Sequence, residues 1–149
     1  MKNKNLAQTL EEIKKINISG KAGYCLAKNR KLIEDELEAI NETIKALPDF
    51  EEFEKARVEL AKTHAKKDDN GKELVENNSY ILEDQEAFNT DFKALKEDYQ
   101  KAIDKREKQI EDFNALLEEE TTLVFHKISE DQIPDSATAS EVYTLLKFI

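Results

Sequence analysis

Residues 22–47 read AGYCLAKNRKLIEDELEAINETIKAL, and the spacing of their apolar positions decides the fold. Ala22, Leu26, Asn29, Ile33, Leu37, Ile40, Ile44 and Leu47 recur in steps of three or four, which lays one apolar seam along a helix. At 1.5 Å per residue that helix would be about 39 Å long. A seam of this length needs a cover. The sequence offers a second long helix with Phe88, Phe92, Leu95, Tyr99, Ala102, Ile103, Ile110, Phe113 and Leu117 on one side.

Composition agrees with long helices. The chain has 149 residues, 39% hydrophobic and 38% charged, with only 3 Gly and 2 Pro. Extended polar helix faces consume that much charge, whereas a sandwich or barrel would need more turn residues. One domain spanning residues 1–149 is the expectation for this length.

The net charge of −10 speaks against nucleic acid as a partner, since phosphate neutralisation needs a cationic face. A single cysteine, Cys25, rules out an intramolecular disulfide and a multi-cysteine metal site. The opening MKNKNLAQTLEEIKKI lacks the apolar core of a signal peptide, and no apolar run approaches the ~20 residues of a membrane span. These features give the expectation of an acidic, cytoplasmic protein with no membrane association.

Outward from the seam, Asn3–Ile16 reads as a short amphipathic helix carrying Leu6, Leu10 and Ile13 on one side. Ser19 is a candidate N-cap for the long helix, and Leu47-Pro48 is expected to end it. Asp49 and Glu52 form a capping pair for a helix running to about His64. Asn70-Gly71 predicts a type I′ turn inside a β-hairpin over about 63–82. Asp84 should cap a helix to about Glu120. The β-branched and aromatic run 121–128, TTLVFHKI, is the best strand candidate in the chain. Thr138 and Glu141 make a capping box for a short C-terminal helix bearing Val142, Leu145, Leu146 and Ile149. The expected fold is therefore mainly α: an antiparallel long-helix bundle or hairpin, coiled-coil-like, with a small β element and a short C-terminal helix.

Several blocks occur in one order. They are Lys21-Ala22-Gly23-Tyr24-Cys25-Leu26-Ala27-Lys28-Asn29-Arg30-Lys31-Leu32, the turn Asp68-Asp69-Asn70-Gly71-Lys72, and Tyr80-Ile81-Leu82-Glu83-Asp84 before a long helix. Phe125-His126-Lys127-Ile128 and a final Leu145-Leu146-Lys147-Phe148-Ile149 follow. Together they resemble a family of short proteins of undefined function encoded by tailed phages of Gram-positive bacteria. The resemblance implies a phage or prophage origin and action inside an infected cell. It assigns no site residue.

Motifs that would carry chemistry are missing. There is no Walker-type loop, nucleophile elbow or zincin motif. The stretch 66–77 imitates a calcium loop, but Lys66 and Asn77 stand where the carboxylates belong. His64 and His126 have no third ligand at metal spacing. No metal, no cofactor and no catalysis are expected.

One charged stretch is unusual. Between Ile13 and Ile33 there is no Asp or Glu, whereas Lys14, Lys15, Lys21, Lys28, Arg30 and Lys31 fall there. It brackets the start of the long helix, where the dipole favours anions. Lys21, Tyr24, Lys28, Arg30 and Lys31 are the candidate ligand-binding residues, with ammonium groups flanking an aromatic ring. They would suit a host protein or a small anionic, nucleotide-like ligand. The other reading is neutralisation by the acidic ends of the 84–120 helix, within the fold or across a dimer. Asn29 sits inside the apolar seam; a buried amide there either fixes oligomer register or lies at the seam's edge.

The seven phenylalanines exceed what two helices can bury, which suggests a homo-oligomer. The functional expectation is a binding protein that interferes with a host process such as defence. The alternative is a scaffold or chaperone for virion components.

Overall fold

The computed structural model describes residues 1–149. The protein is mainly helical, with six α-helices, the last of them short and C-terminal, and one two-stranded antiparallel sheet. The helices are α1 (Leu6–Lys14), α2 (Gly20–Thr43), α3 (Pro48–Thr63), α4 (Gln85–Asp98), α5 (Gln100–Glu118) and α6 (Ala139–Leu145). The strands are β1 (Val75–Glu76) and β2 (Ser79–Tyr80). No helix is long and apolar enough to cross a membrane. The chain divides into two compact units, residues 1–44 with 111–149, and residues 45–110.

In the first unit the α2 seam is buried as its spacing requires. Ala22, Leu26, Asn29, Ile33 and Ile40 are all buried, none more than 5% exposed. Its cover is built from several short pieces rather than one helix. Leu6, Leu10 and Ile13 of α1 pack on it, together with Phe113, Leu116 and Leu117 of α5. Leu123, Phe125 and Ile128 of the following segment, and Leu145 and Phe148 near the C-terminus, complete the core. The seam stops at Thr43. Ile44 caps the helix and Leu47, 42% exposed, lies outside it.

The second unit is an antiparallel helical hairpin. Phe53 of α3 meets Phe92 and Tyr99, with ring centroids 6.4 and 5.7 Å apart. Phe88 stacks on Phe92 at 5.6 Å, and His64 meets Phe88 edge-on at 5.7 Å. At the other end Phe50 lies beneath the Arg106 guanidinium, and Asp49 accepts from Lys105 Nζ at 2.9 Å. The start of α3 thus faces α5 and its end faces the start of α4. None of the seven phenylalanines is exposed, so their number alone does not require a second copy.

Three local expectations are corrected. The helix expected over 84–120 is capped by Asp84, whose carboxylate accepts from Glu86 and Ala87 N–H, but it is two helices broken at Tyr99. Pro48 opens α3 as its first residue instead of Asp49 capping it. Pro fits there because the first helical N–H has no intrahelical acceptor to lose. The type I′ turn expected at Asn70-Gly71 does not form, since only Gly71 has positive φ (79°). Gly71 N–H bonds to Asp68 O, and the Asp68 side chain accepts from Asn70 and Lys72 N–H, so the turn is type I with a glycine bulge. The type I′ turn is instead Asn77-Asn78 (φ 49° and 62°), joining β1 to β2 in the register Val75↔Tyr80 and Glu76↔Ser79.

The β element closes on itself through a ring of backbone bonds. Lys66 N–H donates to Ile81 O, Ile81 N–H to Leu74 O, and Leu74 N–H to Lys66 O, at 2.7–2.9 Å. The C-terminal capping box forms as expected, with Thr138 and Glu141 exchanging bonds.

The expected strand at 121–128 has no ladder. The run is extended, yet its flank carries only an isolated bridge, Lys2↔Glu120. Strand propensity describes the shape of that backbone; a sheet also needs a second strand, and none lies beside it in the chain.

Candidate functional site

The cationic segment lies on α2, and helix geometry sorts its residues. At about 100° per residue, Lys21, Tyr24, Lys28 and Lys31 fall within one stripe roughly 80° wide, facing away from the buried seam. All four are exposed. Tyr24 is 63% exposed, and Lys28 Nζ lies 5.5 Å from its ring centroid, a cation–π pair one turn apart. Ser19 stands at the N-cap without a capping bond from its hydroxyl, and no acid occupies the first turn of α2.

Arg30 does not join this stripe. It lies on the other flank of α2, beside a groove of about 160 Å³ between Ile13, Ile16, Ile18, Gly23, Leu26 and Ala27. That groove exists because Gly23 lets the chain turn back closely. A Cβ on Gly23 would sit 2.1 Å from the Ile18 carbonyl oxygen.

Neutralisation separates the cations further. Arg30 donates to Glu34 at 2.9 Å, and Lys31 to Asp35 at 2.6 Å. The Asp35 carboxylate holds the Lys31 ammonium above its usual 10.5. Lys14 bonds to Glu11 at 2.8 Å and draws that carboxyl below its usual 4.5. Lys21 and Lys28 face no carboxylate within ion-pair distance.

The acids thought to neutralise the segment are engaged elsewhere. Glu118 accepts from Lys4 and Lys2, and Glu120 from the Met1 amino group. These partners depress both carboxyls. Neutralisation of the segment is therefore local to each helical turn, and it leaves Lys15 after α1 and, on α2, Lys21 and Lys28 without a carboxylate partner.

Asn29 has its partner within the chain. It is fully buried, its Nδ2 donates to His126 O at 3.0 Å, and its Oδ1 accepts from His126 N–H at 2.7 Å. The amide thus acts like a paired residue of a neighbouring strand, holding the extended run against α2. One turn earlier, Cys25 Sγ lies 3.5 Å from Lys127 O. Ile128 N–H bonds to Phe148 O, and Phe125 meets Phe148 edge-on at 5.2 Å. A buried amide among aliphatic seam residues signals some polar partner. That the partner is a backbone unit 97 residues away carries no local signature.

No group of three or more His, Cys, Asp or Glu side chains is placed to hold a metal. His64 bonds to Asp91 at 2.9 Å within the second unit, and His126 lies exposed in the first. No family model, curated protein or solved structure matches the chain.

Proposed function

We propose that this is a non-catalytic binding protein, phage-encoded, that acts inside an infected bacterium by engaging an acidic host protein through Lys21, Tyr24 and Lys28. The observation that carries the reading is the unpaired state of Lys21 and Lys28. The other cations of α2 are matched by carboxylates one turn away, while these two flank a tyrosine that is 63% exposed. Tyrosine is among the side chains that carry the binding energy of protein interfaces, and flanking ammonium groups steer an acidic partner. The stripe lies on the convex outer side of a helix, so a partner surface fits it better than an enclosed nucleotide. The phage origin rests on the resemblance of the sequence blocks.

The test is capture from infected cells with the tagged protein and with the variant Lys21→Glu/Tyr24→Ala/Lys28→Glu. All three positions are exposed, so the variant should fold with unchanged helical circular dichroism. The reading expects a host protein retained by the parent and lost from the variant, with capture weakening as salt rises. Equal capture by both proteins overturns it. Capture of virion components instead would favour the assembly role.

A further inference from the structure

The hairpin of the second unit is only two helices thick. Phe53 is the single buried residue of α3 and α4 together. On one side these helices bound a groove of about 490 Å³. Ala56 and Leu60 of α3 and Ala94 and Leu95 of α4 supply its apolar lining, and the two alanines leave room for another element to come close. Every charged residue along it is an acid: Glu59 on α3, Asp91 and Asp98 on α4. Glu59 is paired with Lys62, and one oxygen of Asp91 with His64, whereas Asp98 has no partner in the chain. An apolar face of this kind is buried by laying another element over it.

We propose that this groove takes the α2 stripe, Lys21, Tyr24 and Lys28, of a second copy of the chain. Spacing and charge select that occupant. On α4 an acid, an alanine and an acid stand at 91, 94 and 98, in steps of three and four. On α2 a lysine, a tyrosine and a lysine stand at 21, 24 and 28, in the same steps. At 1.5 Å per residue, the two charges of each set are about 10.5 Å apart along their helix. Laid parallel, the helices bring Lys21 to Asp91, Tyr24 to Ala94 and Lys28 to Asp98. Laid antiparallel, they bring Lys21 to Asp98, Tyr24 to Leu95 and Lys28 to Asp91. In both directions the ring reaches the apolar lining and both ammonium groups reach carboxylates. Within its own chain neither lysine has such a partner. The contact joins two different surfaces, so it closes where copies exchange stripes reciprocally and otherwise continues from copy to copy. It does not rest on the host-protein reading; an acidic host protein would compete for the same stripe.

Sedimentation equilibrium over a range of protein concentrations reads the association. The parent should rise above the monomer mass as concentration increases. Lys21→Glu/Lys28→Glu and Asp91→Lys/Asp98→Lys should each weaken association by about tenfold or more. All four side chains are exposed, and circular dichroism checks that both variants keep their helices. Because Asp91→Lys gives up the bond to His64, Asp98→Lys alone serves as a second groove variant and should weaken association in the same direction. Mixing the two double variants should restore association, since the intact groove of the first then meets the intact stripe of the second.

A parent that stays monomeric up to about 1 mM overturns the pairing. Association that survives reversal of the stripe, or reversal of the groove, overturns it as well. So does a loss in both variants that mixing fails to restore, because each surface would then meet something other than its counterpart.

Discussion

Replacing Asn29 with leucine removes two hydrogen bonds to one backbone unit and leaves the N–H and C=O of His126 facing an aliphatic side chain. Each polar group stripped of its partner costs about 1–3 kcal/mol when water cannot reach it. His126 is itself exposed, so water restores part of that loss, and leucine gains some apolar burial at a fully enclosed position. A net loss of about 2 kcal/mol follows. For a chain of this size that lowers the melting temperature by roughly 4–8 °C. Urea denaturation followed by circular dichroism measures the loss, and amide exchange at His126 localises it. If Asn29 were instead a register residue in an inter-chain seam, leucine would raise stability, as it does at buried polar seam positions. A melting temperature that rises, or one that holds while His126 stays protected, refutes the clamp.

Gly23→Ala should destabilise by about 1–3 kcal/mol, because the new Cβ would meet the Ile18 carbonyl oxygen at 2.1 Å. Helix propensity alone predicts the opposite sign, a gain near 1 kcal/mol, so the direction of the shift in urea midpoint decides the matter. The Glu12 carboxylate accepts from Lys147 Nζ and from Gln8, and these bonds hold its carboxyl below the usual 4.5. A carboxyl depressed in the folded state contributes stability above its unfolded value and loses it as pH falls through the folded one. Lys147→Met should therefore cost stability at neutral pH and progressively less below about pH 4.5; a difference from the parent that is constant from pH 7 to 3 contradicts this pairing.

Periodicity made α1, α2 and the burial of the seam legible, because every third or fourth residue of 22–40 reports the same face. Local chemistry at the termini of elements was legible too. Asp84 and Thr138 both cap, since an N-cap depends only on residues three positions apart. What covers the seam was not legible. Phe88 and Phe113 share one helical phase in the sequence, yet the first packs with Phe92 and His64 in the second unit and the second in the α2 core of the first. The turn chemistry went wrong for a physical reason: Asp68 accepts two N–H bonds that hold Asn70 at negative φ, while the Asn77-Asn78 pair took the left-handed positions. Within the candidate site, the cluster of lysines was visible but its sorting was not. Whether a lysine is paired depends on a carboxylate one turn away, which Arg30 and Lys31 have in Glu34 and Asp35 and Lys21 and Lys28 do not.

Residue-resolved amide exchange of the free protein tests most directly whether Asn29 holds the extended run against α2. The His126 N–H bonded to Asn29 Oδ1 and the Ile128 N–H bonded to Phe148 O predict slow exchange at both, with faster exchange at Thr122 and Val124, whose N–H groups have no acceptor in the chain. Exchange at His126 as fast as at Val124 would contradict the clamp.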